Sequence, residues 1–519
     1  GMYALRSQAD IIARYRNAPQ KERPALARLI RSADQKLAAE LLGKSIDCDE
    51  REMHEMSIPQ RDLFGNQRPM NLGRCRELHR RIADNRRALE RVEDGRLDFF
   101  SFDIHFAHVM ANGGFHVVIG NPPWVRNSRI DERTKRMCAE RYPLFRGSRN
   151  ADRAAFHQPD LSIVFFERAL ALAAQDGVVS LLLPAKIMNA AYAAPLRRAA
   201  ERLDIIALDD WSDEARRHFD ADTFPLGLTI AKKRPSAQIR VRSGGRSFDA
   251  PQRALSLAGS EWSLVPPDVR DVIARLYREH APLRDVLQRS PVMGVKSGDN
   301  SAFFLDVATV RPHCVETIEG IRIPLHAVCR CVRGRDVRRG EISGASWMLW
   351  PPPRGWDRIP RWLERLSAAR GVSPDDLQLA YVRSANAGTK VVWKDVSRGI
   401  AAAVLRDSVR IEGHRVRLIP NQTLYVLDAS SVDDAHVLAS LLNSTIVNVL
   451  AIVIAERAKD FHYRYFGRTI ARIPLPRIDG VVRNASDESI ADLYRVTAPE
   501  HARLGHFLQQ RLGFTVNDD

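Results

Sequence analysis

The spacing of apolar positions changes character along the chain. From Gln8 to Leu97 apolar residues recur at every third or fourth position among charges, as in ALARLIRSADQKLAAELL and CRELHRRIADNRRALERV. That is helical spacing. A break from Pro59 to Pro69 separates the two helical stretches. Between 98 and 235 short continuous apolar runs alternate with helical patterns. HVVIG reads as a strand and DLSIVFFERALALAAQ as a helix. Gly177 then opens a second strand, VVSLLLP, which Pro184 closes. KIMNAAYAAPLRRAAERL is helical, and LDIIALDDW and FPLGLTIAKK are a third and a fourth strand. Strand, helix, strand at these spacings predicts a parallel sheet with crossover helices. In the first strand Val117, Val118 and Ile119 are β-branched and uninterrupted, the pattern of strands covered on both faces.

A Gly/Ser/Pro-rich stretch from Pro235 to Pro267 reads as a linker or a peripheral hairpin, and the surface-loop pattern KSIDCDE lies far upstream. Beyond the linker come β-rich segments, SAFFLDV, RVRLI and TLYVLD. Two helical patterns follow, AHVLASLLNSTIVNVLAIVIAERA and SIADLYRVTAPEHARLGHFLQQRL. The chain thus divides into a helical region at 1–97, an α/β region at 98–235 and a linker or peripheral segment at 236–281. A mixed α+β region at 282–480 and a helical segment at 481–519 complete it. A length of 519 residues also favours several cores over one.

The net charge of +16, from 79 Lys and Arg against 63 acids, points to a polyanionic partner, duplex DNA or RNA. Cysteines 48, 75, 138, 314, 329 and 331 show no paired spacing and no secretory leader opens the chain, which fits a reducing cytoplasm. Gly1 before Met2 reads as a tag remnant. His313, Cys314, His326, Cys329 and Cys331 crowd together without any Cys-x-x-Cys, so no metal site is expected. No apolar run approaches the ~20 residues of a membrane helix.

The first strand ends in Asn121-Pro122-Pro123-Trp124. In open sheets of this kind, ligands bind outside the carboxyl ends of strands. Proline rings fix the backbone, so a carbonyl among them can be held as an acceptor in one direction. The Asn121 side chain adds a second carbonyl. Two fixed acceptors suit an NH₂ group with two hydrogens to donate, and Trp124 offers a flat face on which its ring can stack. An aromatic ring bearing an exocyclic amine is a nucleobase, adenine above all. Reaching that amine within a duplex requires flipping the base out, at a few kcal/mol of unstacking.

At these residues the chain resembles the N6-adenine DNA methyltransferases of restriction–modification systems. More narrowly, it resembles the γ-type group, which carries a C-terminal target-recognition domain. GFHVVIGNPPWVRN is similar to their Asn-Pro-Pro-aromatic signature. DLSIVFFERALALAAQDG is similar to the helix that opens with an Asp, and VVSLLLPAK to the strand that follows. MGVKSGDNSAFFLD, CVRGRDVRR, LIPNQTLYVLD, LLNSTIVNVL and YRYFGRTIARIPLP resemble segments that recur in that order in the recognition domains. The resemblance implies that Asn121, Pro122, Pro123 and Trp124 form the catalytic turn and that Asp160 supports the pocket. It implies that Phe219, or failing it Phe224, stacks on the base beside Trp124. In the recognition region Lys296, Arg333, Arg335, Arg338, Arg464 and Arg468 are expected at phosphates or bases. The fold implied is a partial Rossmann-like methyltransferase sheet of α/β class, with helical N-terminal elements and a mixed α+β recognition domain.

The family's donor is S-adenosylmethionine, held at a glycine-rich turn that precedes the Asn-Pro-Pro-aromatic strand. No Gly-x-Gly occurs in this chain. Asp47 and Asp49, in the surface-loop pattern KSIDCDE, are the one upstream imitation of a ribose-binding acid. The expectation is therefore the C-terminal part of a split or truncated adenine-N6 methyltransferase, with a separate chain carrying the glycine-rich motif. The alternatives are an inactive DNA-binding or specificity subunit that keeps the scaffold and, from the fit of a glutamine amide, an RNA or protein methyltransferase. Metal-dependent cleavage is not expected, since no Glu-x-Lys occurs.

Overall fold

A computed structural model describes residues 11–513 apart from 12–13, 16, 58–71, 96–101, 103–105, 152–158, 213–223, 258, 260, 352–357, 375–376, 378–387, 459–460 and 479–484. The chain forms two compact units, Gly1–Val118 with Ala171–Gly177, and Ile119–Leu170 with Val178–Asp519. The expected break at Pro59–Pro69 and the expected stacking residue Phe219 lie outside the described residues.

In the first unit, helix α1 (Arg23–Ser57) packs on helix α2 (Leu72–Glu93). Ala38 and Ile46 on α1, and Leu78, Ile82 and Val92 on α2, are buried, the stripe that helical spacing demands of an amphipathic pair. Arg74 pairs with Glu52 at 2.7 Å, Arg81 with Asp49 at 2.8 Å and Arg86 with Glu50 at 2.6 Å. KSIDCDE, expected as a surface loop, lies within α1. Its Ile46 enters the apolar seam and its Asp49 carboxylate is held by Arg81 across the pair, so tertiary contacts override the polar local pattern.

The second unit is built on a six-stranded sheet. Its strands are β1 (Phe115–Gly120), β2 (Ala173–Pro184), β3 (Asp204–Asp210), β4 (Pro225–Ala231), β5 (Gln238–Ser243) and β6 (Arg246–Pro251), in the order β1-β2-β4-β3-β5-β6. β1 and β2 begin in the first unit and end in the second. They run the same way: Gly114 lies against Leu172–Ala174, and Gly120 against Leu181. β2 starts at Ala173, four positions before the expected Gly177, because α3 (Ser162–Leu172) stops at Leu172.

The expected all-parallel arrangement is corrected at two places. β4 runs antiparallel to both β2 and β3 and inserts between them. β5 pairs parallel with β3, and β6 returns antiparallel on β5. The stretch after Pro235 is thus a hairpin that extends the sheet.

β1 also departs from expectation. Val117 is 61% exposed and Ile119 79% exposed, although their β-branched run reads as a strand covered on both faces. Among the described residues β1 is the terminal strand of the sheet, and no strand pairs with its other edge. Its apolar side chains forgo the roughly 1.5–3 kcal/mol each that full burial would supply.

The rest of the second unit holds a five-stranded sheet ordered Ser408–Ile411, His414–Pro420, Val328–Val332, Ser346–Leu349 and Phe304–Leu305. Beside it in sequence is a four-stranded sheet ordered Ala402–Leu405, Lys390–Lys394, Leu424–Asp428 and Val292–Met293. The pattern AHVLASLLNSTIVNVLAIVIAERA resolves into two helices, Val432–Asn443 and Thr445–Ile452, bent by 62°. Ser444 sits at the bend and its hydroxyl accepts from Val447 N–H at 3.3 Å, a capping role that starts a new helix. Both helices pack into the core around Trp393 and Tyr465. Among the described residues no single helix is long and apolar enough to cross a membrane.

Candidate functional site

β1 delivers Asn121 to the carboxyl end of the sheet. Asn121 is exposed and Pro122 buried. Among the described residues none engages the Asn121 side-chain amide. Pro123 is exposed, and Trp124 is half-buried with its indole N–H donating to the Leu182 carbonyl at 3.1 Å. That bond fixes the ring at the level of β2, so the stiff turn and its aromatic are held by the neighbouring strand.

Asp160 reaches the same place from a different element. Leu161 N–H donates to the Val125 carbonyl at 3.1 Å, which sets the start of α3 beside the turn. Asp160 is 1% exposed, its Oδ1 accepts from Ser162 N–H at 3.0 Å, and its Oδ2 lies 3.7 Å from the Lys186 ammonium. Burial raises the Asp160 carboxyl above its ordinary range, opposed in part by the Ser162 N–H and by Lys186. Lys186 stands in the 3₁₀ turn Ala185–Met188 that follows β2. Fully buried Arg197 pins this turn by donating to the Ile187 carbonyl at 2.6 Å and the Ala190 carbonyl at 2.9 Å. Desolvation lowers the Arg197 guanidinium to about 10.

Of the two phenylalanines considered for the base, Phe224 is described. It is half-buried, and its carbonyl accepts from Ala185 N–H at 2.6 Å. Phe224 therefore borders the turn that carries Lys186. Lys186 and Tyr192 had no role in the sequence reading, although both lie in segments it delimited. Their meeting with Asp160 depends on the 3₁₀ turn, which hydrophobic spacing does not signal.

Segments that carry basic candidates meet at one turn, Pro420–Thr423. Val295 N–H donates to the Pro420 carbonyl, Asn421 N–H to the Val332 carbonyl, and Gly334 N–H to the Thr423 hydroxyl. The loops bearing Lys296 and Arg333–Arg338 thus meet there. Gly294 is required at this crossing, because a Cβ would fall 2.0 Å from the Asn421 carbonyl oxygen. Asp395 N–H donates to the Thr423 carbonyl, and the Asp395 carboxylate lies 4.0 Å from Arg464. Arg464 and Arg468 flank Phe466 at 5.8 and 4.8 Å, and Arg468 pairs with Glu456 at 2.9 Å. Arg333 stacks on Phe304 at 3.6 Å and is half-buried, whereas Arg335, Arg338, Arg464 and Arg468 are exposed. Among the described residues no group of His, Cys, Asp and Glu could hold a metal ion.

Of the upstream acids considered for the donor, Asp47 lies within α1 and Asp49 is engaged by Arg81.

The family model of the Eco57I restriction-modification methylase matches residues 45–215, a span that contains the turn, Asp160 and Lys186. The type II methyltransferase M.PaeR7I of Pseudomonas aeruginosa is 24% identical over 402 residues, covering 70% of this chain. The chain spans about 65% of that relative's length. Among solved structures, the type IIL restriction-modification enzyme MmeI in complex with DNA aligns at a TM-score of 0.43 and 13% identity, over 76% of this chain and 53% of its own. The type IIG restriction endonuclease BpuSI aligns at 0.32 and 11%, over 78% and 54%. Over these spans the chain is similar to the restriction–modification methylases. The narrower resemblance to their γ-type methyltransferases, read from GFHVVIGNPPWVRN and the segments after it, holds.

Proposed function

We propose that this chain is the acceptor half of a site-specific DNA methyltransferase acting on N6 of adenine. The observation that carries this reading is the exposed Asn121 amide, which no described residue engages, beside a Trp124 ring anchored to β2. Asn121 Oδ1 and the Pro122 carbonyl accept the two amine hydrogens of a base flipped out of the duplex. Drawing those hydrogens out of the ring plane localises the nitrogen lone pair for attack, so no strong base is needed. Trp124 and Phe224 or Phe219 enclose the ring, and base–aromatic stacking of about 1–3 kcal/mol offsets part of the unstacking. Residues 282–480 recognise duplex DNA through the basic loops around Pro420–Thr423. The sheet is the catalytic portion of a Rossmann-like methyltransferase, and the protein works in the cytoplasm.

The methyl donor, S-adenosylmethionine, is held by residues outside this chain, on a separate polypeptide or in a longer form of this one. The edge of β1 supports this: among the described residues no further strand pairs with it and apolar Val117 and Ile119 are exposed there, the kind of edge that proteins otherwise pair or cover. The test is incubation of the chain and a donor-binding segment with labelled S-adenosylmethionine and duplex DNA, followed by nucleoside analysis. N6-methyladenine is the expected product. A methylcytosine would contradict the reading, and DNA binding without any transfer would favour a specificity subunit that retains the scaffold.

A further inference from the structure

We infer that Lys186 is a specificity residue, donating a hydrogen bond to a ring nitrogen that flanks the amine of the flipped adenine. This rests on the acceptor-site reading above and adds to it the half of base recognition that Asn121 and Pro122 cannot supply. Two acceptors identify an amine; a donor beside them is needed to identify the ring that bears it.

Three observations place the donor. The Trp124–Leu182 and Leu161–Val125 hydrogen bonds bring the Asn-Pro-Pro-Trp turn, Asp160 and the end of β2 together. The Lys186 ammonium lies 3.7 Å from buried Asp160 and 5.4 Å from the Tyr192 ring centroid, yet its side chain remains 36% exposed. An ammonium has three hydrogens. One is turned to Asp160 and one to the face of Tyr192, a favourable seat for a cation, which leaves one for a ligand. With its charge balanced by Asp160, that third hydrogen suits a neutral acceptor better than a phosphate. Tyr192 is 2% exposed, and its hydroxyl has no hydrogen-bond partner among the described residues. Buried polar groups are ordinarily hydrogen-bonded, so this hydroxyl marks the neighbourhood as built for something further to bond. A purely structural counter-ion for Asp160 would not require the ammonium to stay open to solvent.

Adenine presents acceptor nitrogens on both sides of its amine, N1 and N7, and either gives the donor–acceptor pair this arrangement matches. Guanine and thymine carry a carbonyl where adenine has its amine and fail at Asn121.

The experiment is ligand-observed NMR of the full chain with 9-methyladenine, its 1-deaza and 7-deaza analogues, and the variants K186M, K186R and N121A. For the wild type, removing one of the two ring nitrogens is expected to weaken binding about tenfold, the effect of ~1.4 kcal/mol from one charge-assisted bond. The sensitive analogue identifies which nitrogen is read. K186M should bind all three ligands equally and about tenfold more weakly than wild type binds 9-methyladenine, and K186R should restore discrimination. Melting curves establish that each variant is folded. If wild type does not distinguish the analogues, or K186M still does, while N121A abolishes binding, the Lys186 assignment is overturned and the acceptor site stands. If 9-methyladenine does not bind, or N121A binds it as well as wild type, the acceptor site itself falls and Lys186 with it.

Discussion

Replacing Asn121 with alanine removes one carbonyl and leaves β1, Pro122 and the Trp124 anchor in place. In the proposed mechanism that oxygen acts on the reacting nitrogen, so its loss should resemble the removal of a preorganised polar group from an active site, ~100- to 1,000-fold in rate. Methylation by Asn121→Ala with the donor-binding segment present should fall by that factor, while duplex affinity in gel-shift titrations stays within about twofold. A rate near wild type would place the chemistry elsewhere. This turn was legible in the sequence because a short stiff motif after an apolar strand carries its own geometry. Lys186 and Tyr192 were not, because neither acts without the fold: a 3₁₀ turn pinned by Arg197 brings them to Asp160.

Among the elements, β3 ends in a buried ionic knot. Asp210 accepts from Ser212 N–H at 3.0 Å and Ser243 Oγ at 3.1 Å, and pairs with Arg457 at 3.4 Å and Arg511 at 3.9 Å. Burial alone would raise its carboxyl, but Arg457, Arg511 and Ser212 outweigh burial and hold it below the ordinary 3.8. A carboxyl depressed on folding contributes stability that is complete above its unfolded value and is lost as pH falls through the folded one. Denaturant melts should therefore show wild-type stability declining below about pH 4. Asp210→Asn should cost about 3 kcal/mol near neutral pH by stranding two guanidinium groups, with a shallower acid decline. An unchanged midpoint would mean that the knot contributes nothing. Strand positions around β3 were readable from apolar runs, but strand direction was not, since a run of LGLTI looks the same in either sense. β1 misled for another reason: its composition reads as a strand covered on both faces, and among the described residues it is a terminal strand with exposed Val117 and Ile119.

For the molecule as a whole, the net charge of +16 is the sequence feature that first suggests the polyanionic partner we propose. The loops bearing Lys296, Arg333 and Arg464 needed the fold to show that they converge on Pro420–Thr423. Composition reveals a charge and not where it gathers. That KSIDCDE is helical and Asp49 engaged by Arg81 was not legible, since the partner lies in α2. The central claim is that this chain holds the acceptor site and not the donor's. It is tested most directly by isothermal calorimetry of S-adenosylmethionine with the protein alone, paired with a methylation assay on duplex DNA. The account predicts no measurable heat of binding and no transfer by the chain alone, with both appearing once a donor-binding segment is added. Micromolar binding with turnover by this chain alone would contradict it.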